Sequence, residues 1–94
     1  MTQEKIHIDG QEADGYLIPL PSCNLVFITK GNSLLACGAV DAMAMDKFNV
    51  PTATISGVAT VDDLLNGEVK AVNKAAEALG VAPGLSGRDA LAKL

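Results

Sequence analysis

With 94 residues the chain has room for one domain, residues 1–94, and one modest core. Hydrophobic residues make up 49%, too many for a disordered chain, while aromatics are only 3%, so the core has to be built from Val, Ile, Leu, Ala and Met. A net charge of −4, with no basic stripe carrying interleaved aromatics, argues against a nucleic-acid partner, and no stretch approaches the ~20 apolar residues of a membrane-spanning helix.

The opening, MTQEKIHIDG, is polar and lacks the apolar run of a secretory signal. A cytoplasmic setting with reduced cysteines is therefore expected. Within it KIHI alternates, with Ile6 and Ile8 on one face and Lys5 and His7 on the other, which predicts a half-exposed strand. Asp9-Gly10 is a hairpin turn signal. The strand QEADGYLIPL follows, and Pro19, which cannot donate to a ladder, places that end at an edge or outside the sheet.

Residues 24–37 predict a second hairpin that turns at Gly31-Asn32 and sets Lys30 opposite Ser33, Ile28 opposite Leu35 and Val26 opposite Cys37. In this register Cys23 is three residues from the position opposite Cys37. Three strand residues span roughly 10 Å, and a disulfide needs Cα atoms within about 7 Å, so two free thiols are expected. Val26, Ile28, Leu35 and Cys37 share one face of this hairpin, and Leu25, Phe27, Leu34 and Ala36 share the other. Both faces are apolar, so both need cover.

A short helix is predicted over Asp41–Phe48 with Val40, Met43, Ala44 and Phe48 as its apolar stripe, ended by Asn49 and Pro51. TATISGVA is a β-branched run and reads as a strand. Thr60 with Asp63 forms a capping-box pattern opening a helix through DDLLNG. Val69, Val72, Ala76 and Leu79 have helical spacing and predict a longer helix ended by Gly80, with Pro83 beyond it. A last helix begins near Ser86 and carries Ala90, Leu91 and Leu94. The fold class is α+β: one mixed or antiparallel sheet of about five strands with three to four helices packed on it.

Two places could hold a site. Cys37 ends a strand just ahead of a helix start, where a dipole lowers a thiol pKa. Asp41 brings opposing charge, however, and nothing places His7, the single histidine, nearby. A packed, inert Cys37 is the stronger reading, with a cysteine-dependent enzyme as the alternative. The second place is Gly84, Ser86, Gly87 and Arg88, where backbone N–H groups, a hydroxyl and a guanidinium at a helix start could hold a small anion; the plain alternative is a helix cap. In ISGVATVDD, Ser56 and Gly57 leave a strand at the end where α/β sheets bind ligands, but Asp62 and Asp63 would repel an anion. One His and two Cys thirteen residues apart along the chain match no zinc spacing, and no cofactor motif is present.

Three stretches, LLACGAVD, ISGVATVDDLLNGEV and AAEALGVAPGLSGRDAL, together resemble the YunC family of small bacterial and archaeal proteins, whose domain has no assigned function. The shared pattern is a strand ending in Cys-Gly, a Gly-Val before a D-L-L helix, and an A-E-x-L-G-V-x-x-G-x-S-G-[RK]-[DE]-A-L tail. The resemblance runs from about Gly10 onward. It implies a single small α+β domain and supplies no activity, cofactor or catalytic residue. Cys37, Gly38, Gly57, Leu64, Leu65, Gly84, Ser86, Gly87 and Arg88 stand at its motif positions.

The expectation is a non-catalytic homo-oligomeric module that binds a small anionic ligand or a protein partner; a purely structural subunit is the further alternative. Self-association is expected through one of the two apolar hairpin faces, as a dimer or trimer.

Overall fold

The computed structural model describes residues 2–94. Six strands form one sheet in sequence order: β1 (Thr2–Ile8), β2 (Gln11–Pro19), β3 (Asn24–Lys30), β4 (Ser33–Cys37), β5 (Thr52–Ile55) and β6 (Ala71–Val72). All neighbours are antiparallel except β4 and β5, which run parallel. Four short helices complete the chain: α1 (Ala42–Met45), α2 (Val61–Asn66), α3 (Lys74–Ala78) and α4 (Gly87–Lys93).

Both hairpins form at the turns their sequences specify. Asp9 and Gly10 take φ of 48° and 78°, the left-handed pair that a type I′ turn needs. In the second hairpin Lys30 pairs with Ser33 and Ile28 with Leu35, the register read from Gly31-Asn32. Pro19 pairs with Asn24 on the β3 side, while β1 pairs with β2 between Gln11 and Leu17, so the missing Pro19 N–H falls beyond that ladder.

One face of the sheet carries the core. Ile6, Ile8, Val26, Ile28, Leu35, Ala53, Ile55 and Val72 lie on it by strand alternation, and Val61, Leu64 and Leu65 of α2 with Ala90 and Leu91 of α4 close over them. The two helices approach closely at Gly87, where an added Cβ would run into the Leu64 carbonyl. Lys30, half-buried at the end of β3, donates from Nζ to the carbonyls of Leu91 (2.7 Å) and Ala92 (3.1 Å), tying the end of α4 to the sheet. Burial pushes its ammonium below the ordinary lysine range.

Two sequence expectations need correction. The helix expected through Val69–Leu79 is not continuous. Residues 69–72 are extended and supply the sixth strand, and only Lys74–Ala78 is helical. The extended stretch is hydrogen-bonded on both sides: Lys70 and Asn73 donate to Thr54 and Thr52 of β5 (2.9 and 3.1 Å), and Val69 donates to Leu85 (2.8 Å). Asn73, fully buried, stops the helix from reaching further back. Its Oδ1 accepts from Ala76 N–H as an N-cap and from Thr52 N–H, both at 3.0 Å, and its Nδ2 donates to the Val50 carbonyl at 2.8 Å. Val69 and Val72 are buried as expected, but through strand geometry, and Leu79 is exposed.

The second correction concerns the segment after β4. One α-helical turn, Ala42–Met45, passes into a 3₁₀ turn, Asp46–Phe48, ended by Asn49 in the left-handed region. Ala42 is the buried residue, while Met43, Ala44 and Phe48 of the expected stripe are exposed. A segment this short docks through its first turn and does not present a full stripe.

Asn73 closes the junction of β5, β6 and α3, so Asn73→Ala strands a buried Thr52 N–H and removes a cap. A loss of about 1–3 kcal/mol in unfolding free energy is expected from urea denaturation; a loss below about 0.5 kcal/mol, the size of a neutral surface change, would contradict this role.

Candidate functional site

The parallel pairing of β4 and β5 determines where crevices form. The chain leaves β4 toward the outer face of the sheet, where α1 packs on β5 and β6, and leaves β5 toward the core face, where α2 lies. Adjacent parallel strands whose chains depart to opposite faces open a gap at their carboxyl ends, the place where α/β sheets hold ligands. A crevice of about 320 Å³ lies there on the outer side, between Gly38–Met43 and the residues Thr54 and Ala71. A second, of about 330 Å³, lies beyond the end of β5 and is bordered by Ser56, Gly57, Asp63, Glu68 and Lys70.

In the first crevice Asp41 is the charged residue, and its Oδ1 accepts from Met43 N–H (3.0 Å) and Ala44 N–H (3.4 Å) as the N-cap of α1. Thr54 is only 7% exposed, and among the described residues its hydroxyl has no hydrogen-bond partner. Thr54 lines the crevice, and its hydroxyl is not one of the fully buried, unpartnered side-chain atoms of the described residues, so it opens into the crevice. Thr52, two residues earlier on the same face, is satisfied through Val50 O at 2.9 Å. In the sequence Thr54 is hidden in TATI, a β-branched run, and its available signal is two threonines at period two in a buried strand.

In the second crevice Asp63 is committed. Asp63 Oδ2 accepts from Thr60 N–H (3.2 Å) and Ala59 N–H (3.0 Å), and Thr60 Oγ1 accepts from Asp63 N–H (3.1 Å), the reciprocal capping box expected from the sequence. Gly57, at φ 75°, makes the turn out of β5.

Cys37 closes β4 with 4% exposure, on the face of Leu35 and paired with Ile55 of β5. His7 is exposed in β1, three strands away, or roughly 14 Å at ordinary strand spacing, and alternation puts it on the opposite face. No base stands beside the thiol in this arrangement. Cys23 is exposed, and neither cysteine is bonded.

The stretch Gly84–Arg88 lines neither crevice, although Ser86 pairs with Glu68 and so borders the second. Ser86 Oγ accepts from Asp89 N–H at 3.1 Å, Gly87 N–H donates to Gly67 O at 2.9 Å, and Gly84 N–H donates to Val69 O at 2.9 Å. Gly84 takes φ 99° and Arg88 is exposed. Of the four residues, Arg88 alone offers a charged donor group to solvent. The structure thus brings Cys37, Gly38 and Gly57 to one end of the sheet and leaves Gly84, Ser86, Gly87 and Arg88 at the α2–α4 junction. Among the described residues no group of three or more His, Cys, Asp or Glu is placed to hold a metal, and no helix is long and apolar enough to cross a membrane.

Residues 36–94 match the family described as DUF1805, a domain of unknown function. The chain is 34% identical over 93 residues to the uncharacterized protein YunC of Bacillus subtilis (strain 168), an alignment covering 95% of this chain and 92% of that protein. It is similar in fold to the crystal structure of TA1206, a protein of unknown function from Thermoplasma acidophilum, with a TM-score of 0.93 and 26% identity over 99% of this chain and 91% of that one.

Two outcomes follow from the packing. With a water-soluble disulfide reagent at neutral pH, Cys23 should react at once and Cys37 only as the protein unfolds; fast labelling of Cys37 in the folded protein would contradict its burial. Gly87→Ala should cost about 1–3 kcal/mol or more by forcing α2 and α4 apart, against about 0.5–2 kcal/mol for Ser86→Ala as a lost cap, both read from denaturant midpoints. A Gly87→Ala protein as stable as the parent would contradict the close crossing.

Proposed function

The chain belongs to the DUF1805 family, and from that premise we propose that it is a non-catalytic module that associates with copies of itself through the outer face of its sheet. The carrying observation is the state of that face. Tyr16, Ile18, Leu25, Phe27 and Leu34 are only half-buried, although they are large and apolar and lie side by side on β2, β3 and β4. The Tyr16 and Phe27 rings stack with centroids 5.0 Å apart. Helix α1 stands on that side but packs on β5 and β6, while α2 and α4 cover the core face. Phe48 and Met43, at 69% and 58% exposure, are further exposed apolar side chains on the segment between β4 and β5.

A second copy suits this patch better than an unrelated surface. The centre carries no charge, and the Lys5–Asp14 pair (2.9 Å) on neighbouring β1 and β2 provides a polar border of both signs. An uncharged centre with a mixed-sign border is self-complementary under a two-fold axis. Of the two apolar hairpin sets, Leu25, Phe27 and Leu34 are the ones available, because Val26, Ile28 and Leu35 are fully buried beneath the helices.

Anion binding at Ser86 rests on Arg88 alone, since the Ser86 hydroxyl and the Gly84 and Gly87 N–H groups are engaged within the protein. The burial of Cys37 and the distance of His7 weigh against a cysteine-dependent enzyme. At micromolar concentration, size-exclusion chromatography with light scattering should give a multiple of the chain mass, and Phe27→Lys should reduce it to one chain with the fold retained by circular dichroism. A parent protein of single-chain mass would overturn the proposal.

A further inference from the structure

We propose that the outer crevice between β4 and β5 binds a small uncharged molecule, an amide or alcohol on a compact apolar body, oriented by a hydrogen bond to the Thr54 hydroxyl. The inference does not depend on self-association. A hydroxyl that faces a crevice without a protein partner, on a residue more than nine-tenths buried, is held in place by packing and is free to bond a group that enters. Thr54 is such a residue, and its neighbour on the same strand face, Thr52, is internally satisfied. The crevice, at about 320 Å³, has the volume of a small-molecule cleft. It also lies at the diverging carboxyl ends of the parallel pair.

The walls specify the ligand class. Val40, Ala42, Met43 and Ala71 offer apolar surface with little bulk. Asp41 is the charged group among the lining residues. Its negative charge at the rim disfavours an anion, and two N–H groups hold its Oδ1 as the cap of α1, away from the apolar walls. An uncharged polar group facing Thr54, with a branched or compact hydrocarbon against Val40 and Met43, satisfies both constraints.

The test uses three probes with one branched hydrocarbon body: isobutyramide, isobutylamine and isobutyrate, titrated into the ¹⁵N-labelled full chain. Isobutyramide should move the amide signals of Gly38, Ala39, Thr54 and Ala71 with millimolar affinity, as its few atoms allow. Isobutylamine should bind more weakly, and isobutyrate should leave these signals in place. Thr54→Val, which keeps shape and removes the hydroxyl, should weaken isobutyramide binding about three- to tenfold. Ala71→Leu, which fills the crevice from the position paired with Thr54, should abolish the shifts, and it serves as the test if Thr54→Val does not fold. Absence of shifts at these positions, unchanged affinity in Thr54→Val, retained shifts in Ala71→Leu, or tighter binding of either charged probe would overturn the proposal.

Discussion

The parallel alignment of β4 and β5 is the constraint on which the rest of this small structure depends. Every other neighbour in the sheet is antiparallel and reached by a short turn or loop, or by a return through a helix on the core side. A parallel neighbour cannot be reached by a turn, because the chain must travel back to the starting end of the sheet. Residues 38–51 make that crossover, and they do it on the outer face. The next departure, from β5, goes to the core face. Both the crevice at the strand ends and the unequal cover of the two sheet faces follow from this one divergence.

The chain is too short to cover both faces. Three of its helices, α2, α3 and α4, contribute to the core, and α2 and α4 pack closely enough to require Gly87 at their contact. What remains for the outer face is a four-residue helix, which packs mainly on β5 and β6, and a 3₁₀ turn, whose Asp46 accepts from the start of α3. The Asn73 network keeps this arrangement in place at the far end of β5, joining Val50, Thr52 and the start of α3 through one buried amide. A buried amide with three good partners specifies a unique junction, because no other placement of β6 satisfies the same groups.

Local chemistry was legible in the sequence wherever one residue type has one strong use. Asp9-Gly10, Gly31-Asn32, the Thr60–Asp63 box, Gly80 after α3 and Ser86 before α4 all occupy the roles that their side chains or backbone freedom dictate. Legibility failed where two periods coincide. Val69, Val72 and Ala76 fit a helix stripe, yet Val69 and Val72 are buried from an extended chain because β5 needs an edge partner and Asn73 supplies the cap. It failed again at α1, where Met43 and Phe48 fit a stripe too long for the helix that forms. At the diverging strand ends Cys37, Gly38 and Gly57 could be named from the sequence, but Thr54 could not be distinguished from Thr52. Only the three-dimensional arrangement tells which hydroxyl has a partner.

The central claim is that the outer sheet face is an interior surface of an assembly. Tyr16 is the single tyrosine of a chain without tryptophan, and it lies on the β2 side of that face, stacked on Phe27. Its emission therefore reports on the patch alone. Acrylamide quenching of Tyr16, followed over a dilution series from high micromolar to nanomolar protein, tests the claim directly. Covered by a second copy, Tyr16 should be poorly quenched at high concentration and become more accessible as dilution separates the chains. Strong quenching that is the same at every concentration would contradict the account and mean that the face stays in water.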